Sequence, residues 1–84
     1  MLRLRLVAVA VGNSGTILTS SDGTDWTTRT SGTTDNLLGV DYGISTFVAV
    51  GASGNIVRST DNGSSFDNAT SPTGNTMYGV AFSE

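Results

Sequence analysis

The side chains able to do acid–base or nucleophilic chemistry in this 84-residue chain are six Asp, one Glu, four Arg and two Tyr, with no His, Cys or Lys. Hydrolysis by paired carboxylates requires two of them to face each other across a substrate at about 5–9.5 Å. Asp22 and Asp61 fall inside turn motifs, which leaves Asp25, Asp35, Asp41, Asp67 and Glu84. Asp41 alternates with Val40 and Tyr42, so it can line a channel mouth or simply be a solvated Asp at a strand end; its counterpart later in the chain is Ala81. A Ser nucleophile has no His or Lys to activate it. Without Cys and His the usual zinc and iron ligand sets cannot be assembled either. No catalytic residue, metal site or cofactor is expected, and the chain reads as non-enzymatic.

The formal charge of −3 opposes nucleic acid or an acidic membrane surface as the main partner, since phosphate binding needs clustered positive charge. No run approaches the ~18 apolar residues that span a bilayer. Met1–Val11 has two Arg before an apolar run, the charge order of a short signal peptide. The repeat described next needs its later residues as a strand. A domain of this size buries only about 60–65% of the surface its unfolded chain exposes, and without disulfide or metal such domains often gain stability by oligomerising.

The elements that position these residues come from an internal repeat. Val11–Trp26 (VGNSGTILTSSDGTDW) aligns with Val50–Phe66 (VGASGNIVRSTDNGSSF), and Leu37–Tyr42 (LLGVDY) with Met77–Phe82 (MYGVAF). Asp22 and Asp61 lie 39 apart and Trp26 and Phe66 lie 40 apart, one residue being inserted between Asp61 and Gly63. The chain is thus one two-repeat unit over residues 1–84, with repeat 1 at about 6–42 and repeat 2 at about 43–82. Apolar or β-branched runs at Leu6–Val11, Thr16–Thr19, Trp26–Thr30, Leu37–Tyr42, Phe47–Val50, Asn55–Arg58, Ser65–Ala69 and Met77–Phe82 predict eight short strands separated by Gly, Asn and Asp turns. Gly12–Gly15 and Gly51–Gly54 read as hairpin turns, not phosphate loops, because neither precedes a helix. Four strands in ~40 residues match one blade of a β-propeller, with an eight-stranded sandwich as the alternative. Near-identical repeats favour the propeller, in which each blade shows the same two faces to its neighbours.

Ser59, Asp61, Gly63 and Phe66 fit the pattern S-x-D-x-G-x-x-[WF], and Ser20, Asp22, Gly23 and Trp26 fit it one residue short. In this motif the carboxylate accepts backbone N–H bonds, the Gly takes a conformation closed to other residues, and the aromatic folds into the apolar layer. The chain thereby resembles Asp-box (BNR-like) propeller repeats, and with its VAVG-x-x-G and L-x-G-V segments it is similar to photosystem II assembly-factor propellers and related bacterial and phage repeat proteins. The resemblance covers nearly the whole chain and implies an all-β fold of four-stranded blades. It also implies that these eight residues are turn staples away from any central ligand site. The sialidase chemistry of some Asp-box enzymes lacks its residues here, because there is no arginine cluster and the only Glu is Glu84. The assembly-factor task, attributed to a basic patch, does not suit an acidic chain.

The repeats are out of phase with the chain. With strands lettered A to D outward from the channel, the order is BCD, ABCD, A, so an orphan A strand at Met77–Phe82 is complementary to the open edge of Leu6–Val11. The expectation is strand exchange in a homo-oligomer that closes head to tail. Two blades per chain give only even rings: a trimer of six blades is favoured, with a tetramer of eight the alternative. Trp26, Phe66, Tyr42 and Phe82 are expected between blades, while Trp26, Asp41 and Tyr42 are the candidates for ligand contact. The predicted role is a multivalent binding module, a glycan or cell surface being the first partner. The alternative is a scaffold of phage or bacterial origin, or a short evolutionary or engineered propeller fragment, with no small ligand.

Overall fold

The computed structural model describes residues 8–43 and 46–81. Seven strands and no α-helix occur among these residues. β1 (Ala8–Val11), β2 (Ile17–Ser20) and β3 (Thr27–Arg29) form an antiparallel sheet in the order β1-β2-β3. β4 (Leu37–Gly43), β5 (Thr46–Gly51), β6 (Ile56–Ser59) and β7 (Asp67–Ala69) form a second, in the order β4-β5-β6-β7.

One turn design serves both inner hairpins. The Gly12 N–H donates to the Thr16 carbonyl at 3.0 Å and the Thr16 N–H to the Asn13 carbonyl at 3.1 Å; Gly51, Asn55 and Ala52 repeat the pair at 3.1 and 3.2 Å. Ser14 and Ser53 take left-handed φ values of 59° and 60°, followed by Gly15 and Gly54, both at 73°. A Cβ on Gly15 would run into the Thr33 carbonyl, and one on Gly54 into that of Thr73. Glycine is therefore required there for space as well as for φ.

The ladders fix which side chains share a face, because alternate residues point to opposite sides. Val9↔Thr19, Val11↔Ile17 and Ile17↔Arg29 place Val9, Val11, Ile17, Thr19 and Arg29 on one face of the first sheet. Tyr42↔Phe47, Val40↔Ala49, Ala49↔Val57 and Phe47↔Ser59 define one face of the second. These two faces meet. Ile17, Leu37, Phe47, Ala49, Val57 and Phe66 form the buried core, flanked by Val9, Val11 and Val40. Ile17 and Val57 are wholly inaccessible.

The faces in contact are unlike. Val48, Val50 and Ile56 of the second sheet are the repeat equivalents of Val9, Val11 and Ile17, yet they lie on the side of the second sheet turned away from the first. Likewise Ala8, Ala10 and Leu18, the equivalents of Phe47, Ala49 and Val57, lie on the outer side of the first sheet. The two repeats stack head to tail, as two bricks laid the same way round.

The step from one sheet to the next also recurs. Leu37 N–H donates to the Gly12 carbonyl at 2.9 Å, and forty residues on Met77 N–H donates to the Gly51 carbonyl at 3.0 Å. Met77–Ala81 then passes over β4, where a Cβ on Gly39 would come within 2.8 Å of the Tyr78 carbonyl oxygen. Contrary to the sequence expectation, Met77–Ala81 is no strand: a strand needs a neighbour for its backbone groups, and among the described residues it lies beside no ladder edge. Phe82, Glu84 and the start of the Leu6–Val11 run fall outside the described residues.

Removing core volume at the junction of the sheets tests this packing. Ile17→Ala should lower the unfolding free energy by about 2–5 kcal/mol, read from urea denaturation followed by circular dichroism.

Candidate functional site

Both Asp turns are built on a buried serine. Ser20 Oγ accepts N–H bonds from Asp22 at 3.2 Å and Gly23 at 2.7 Å, and donates to Asp22 Oδ1 at 3.0 Å. That carboxylate oxygen also accepts the N–H groups of Thr24 at 2.8 Å and Asp25 at 2.9 Å. In the second repeat Ser59 Oγ accepts from Gly63 N–H at 2.9 Å and donates to Asp61 Oδ1 at 2.8 Å. Asp61 Oδ1 also takes the Ser65 N–H at 2.9 Å, and the Ser65 hydroxyl donates to Oδ2. The inserted residue, Asn62, is absorbed by a second left-handed position: Asn62 at φ 64° precedes Gly63 at 89°, whereas the first turn needs only Gly23 at 78°.

These bonds act on ionisation. The Asp25 and Thr24 N–H groups and the Ser20 hydroxyl hold the Asp22 carboxyl below its ordinary range. For Asp61 the Ser65 hydroxyl leads, then the Ser65 N–H and Ser59, lowering it from 3.8 to about 2. Both are carboxylates held as acceptors, the reverse of what a general acid needs.

Between the turns the sheets leave a cleft of about 580 Å³, lined by Thr19, Asp22, Asp25, Arg29, Asp61 and Asn62 among others. Arg29 Nε donates to Thr19 Oγ1 at 2.9 Å, which fixes the guanidinium on the cleft wall. A smaller hollow of about 200 Å³ is bounded by Val9, Val40, Asp41, Tyr42 and Phe47. There the Tyr42 and Phe47 rings lie 4.5 Å apart at 46°, and Asp41 Oδ1 accepts the Tyr42 N–H at 2.8 Å. Asp41 and Tyr42 thus share one hollow, while Trp26, immediately before β3, lines neither space.

The aromatic pair matched by sequence is not matched in environment. Phe66 is 8% exposed, in the core; Trp26 is 43% exposed and Tyr42 48%. Two further features escaped sequence reading. Arg29 and Arg58 are not repeat equivalents, yet Arg29 bonds Thr19, and Thr19 is the equivalent of Arg58; each sheet therefore carries one arginine on the equivalent face. The second feature is a hydroxyl turn leading toward the next sheet: Ser31 Oγ accepts the Thr33 N–H and Thr33 Oγ1 the Asp35 N–H, as Ser71, Thr73 and Asn75 repeat forty residues later. The recurring T-S-x-T-x-[DN] of residues 30–35 and 70–75 was the signal for it.

Chemically, the cleft offers fixed donors and acceptors, its Ser20 hydroxyl and Asp22 carboxylate being bonded to each other and to the turn backbone. It is suited to holding a polar ligand. No family model, curated protein or solved structure matches the chain.

Two measurements test the turns. The Asp61 carboxyl should titrate at about 2 by NMR; since that value lies below the unfolded one, its contribution to stability is complete above pH about 4 and lost as pH falls through about 2. Ser59→Ala, which leaves the Gly63 N–H without its acceptor, should cost about 1–3 kcal/mol in urea denaturation.

Proposed function

We propose that this chain is a non-enzymatic, self-assembling β-propeller unit whose work is multivalent binding. The observation that carries the reading is the head-to-tail stacking: each sheet uses one face on its neighbour, so the pair presents at its two ends the two faces that fit each other inside it. A heterologous contact of this kind propagates until it closes. With two sheets per chain, three copies close six blades and four close eight. The hydrogen-bonding of the two Asp turns supports kinship with Asp-box repeats.

The polar cleft favours a hydroxylated ligand such as a carbohydrate, since serine and threonine hydroxyls, carboxylates and a guanidinium bind polyols in complementary pairs. One cleft per sheet junction would repeat around a ring, so that weak single contacts add through effective concentration.

Light scattering on the purified chain at micromolar concentration should give three times the 8.6 kDa chain mass, or four times for the eight-bladed form. The mass of one chain would overturn the assembly. A glycan-array signal lost in Arg29→Ala supports the carbohydrate ligand, whereas silence from a folded oligomer sinks it and leaves a scaffold.

A further inference from the structure

Trp26 is the chain's one tryptophan, and it is large, apolar and 43% exposed, whereas its repeat equivalent Phe66 is buried in the core beside Phe47. The ladders explain the difference. Phe66 precedes β7 on the face of the second sheet that receives Val9, Val11 and Ile17. By the same alternation Trp26 belongs with Ala8, Ala10 and Leu18 on the outer face of the first sheet, where Ala8 and Ala10 are exposed. At the other end of the pair Val48, Val50 and Ile56 share a sheet face of the same design as Val9, Val11 and Ile17; Val50 is buried there, while Val48 and Ile56 remain partly exposed.

Resting on the self-assembly reading above, we propose that Trp26 is a subunit-interface residue: it packs on the Val48–Val50–Ile56 face of a second copy, as Phe66 packs within a chain, while Met77–Ala81 of that copy pairs with β1. The occupant is a second copy because the contact is already made once inside the chain, by the same residue positions. The register follows from the same equivalence. Gly39↔Val50, Val40↔Ala49 and Asp41↔Val48 within the chain become Gly79↔Val11, Val80↔Ala10 and Ala81↔Val9 between copies. Charge agrees: Arg29 and Asp61 line the cleft inside the chain, and the new junction sets Arg58 toward the Asp22 turn of the second copy. In this arrangement Trp26 is covered by protein, not free for a ligand.

A single tryptophan makes the test direct. Emission and acrylamide quenching are followed on dilution, with mass recorded by light scattering on the same samples. Assembled chain should show blue-shifted emission and a several-fold smaller quenching constant, both reverting as the mass falls to one chain. Trp26→Phe should assemble as the parent does; Trp26→Ala should stay monomeric with its strand signal in circular dichroism intact, since Trp26 lies outside the core. Because the chain has no Cys, Ala10→Cys with Val80→Cys should give disulfide-linked multimers on oxidation. An assembled chain whose tryptophan remains as quenchable as in the monomer, a Trp26→Ala chain that assembles normally, or cross-linking confined within one chain would each overturn the interface while leaving self-assembly standing. A parent chain that stays monomeric throughout overturns both.

Discussion

Ile17 rests against the face formed by Phe47, Ala49 and Val57, and the rest of the architecture depends on that contact. It joins the sheets through unlike faces, and because the sheets are repeats, it sets a rule for any further sheet. Had like faces met, the pair would have been closed and symmetric, with two identical exteriors. Stacked head to tail, the pair keeps one receiving and one inserting face at its ends. The buried set is small, and polar members such as Thr19, Ser20, Ser31 and Ser59 occupy places that larger apolar side chains hold in bigger domains.

Those buried hydroxyls are what the turns are built on. Ser20 and Ser59 stand at strand ends where the chain must reverse; Ser20 accepts the Asp22 and Gly23 N–H groups, and Ser59 accepts that of Gly63, which would otherwise be buried without a partner. The aspartates complete the turn from the solvent side. This division of labour explains why a chain with so few charges commits two carboxylates to positions where neither can move a proton at neutral pH. The Ser31 and Ser71 turns repeat the device at the passage between sheets, so the repeat is specified by hydrogen-bonded turns as much as by apolar alternation.

Much of the architecture was legible in the sequence because the repeat is marked at every reversal. The alternating runs became β1 to β7, the Gly-x-x-Gly segments became tight turns, and the three-plus-four division of strands followed from the phase of the repeat. Three things were not legible. Met77–Ala81 has the residues of a strand but no ladder among the described residues, because strand structure depends on a neighbour and not on composition alone. Trp26 and Phe66 occupy one motif position, and only the direction of stacking separates an exposed ring from a buried one. Arg29 aligns with Ala69 and Arg58 with Thr19, so neither arginine matches the other; the cross-strand relation that puts them on equivalent faces exists only once the ladder is formed.

The choice of tryptophan at the outer position and phenylalanine at the inner one fits the energetics of the two contacts. Within the chain, the sheets are tethered by the short passage from Thr30 to Asn36, and their meeting sacrifices no free translation. In the proposed assembly, the same meeting between chains would have to offset lost translational and rotational freedom, on the order of 4–15 kcal/mol. A larger aromatic surface at the outer position opposes that cost, since tryptophan buries more apolar area than phenylalanine and adds an N–H that can find a partner at the rim. In that assembly, backbone pairing of Met77–Ala81 with β1 would add hydrogen bonds beyond the one that Met77 N–H makes to Gly51 within the chain. On this account the two repeats have diverged where their neighbours differ in kind, and kept the same residues where the turn itself is the constraint.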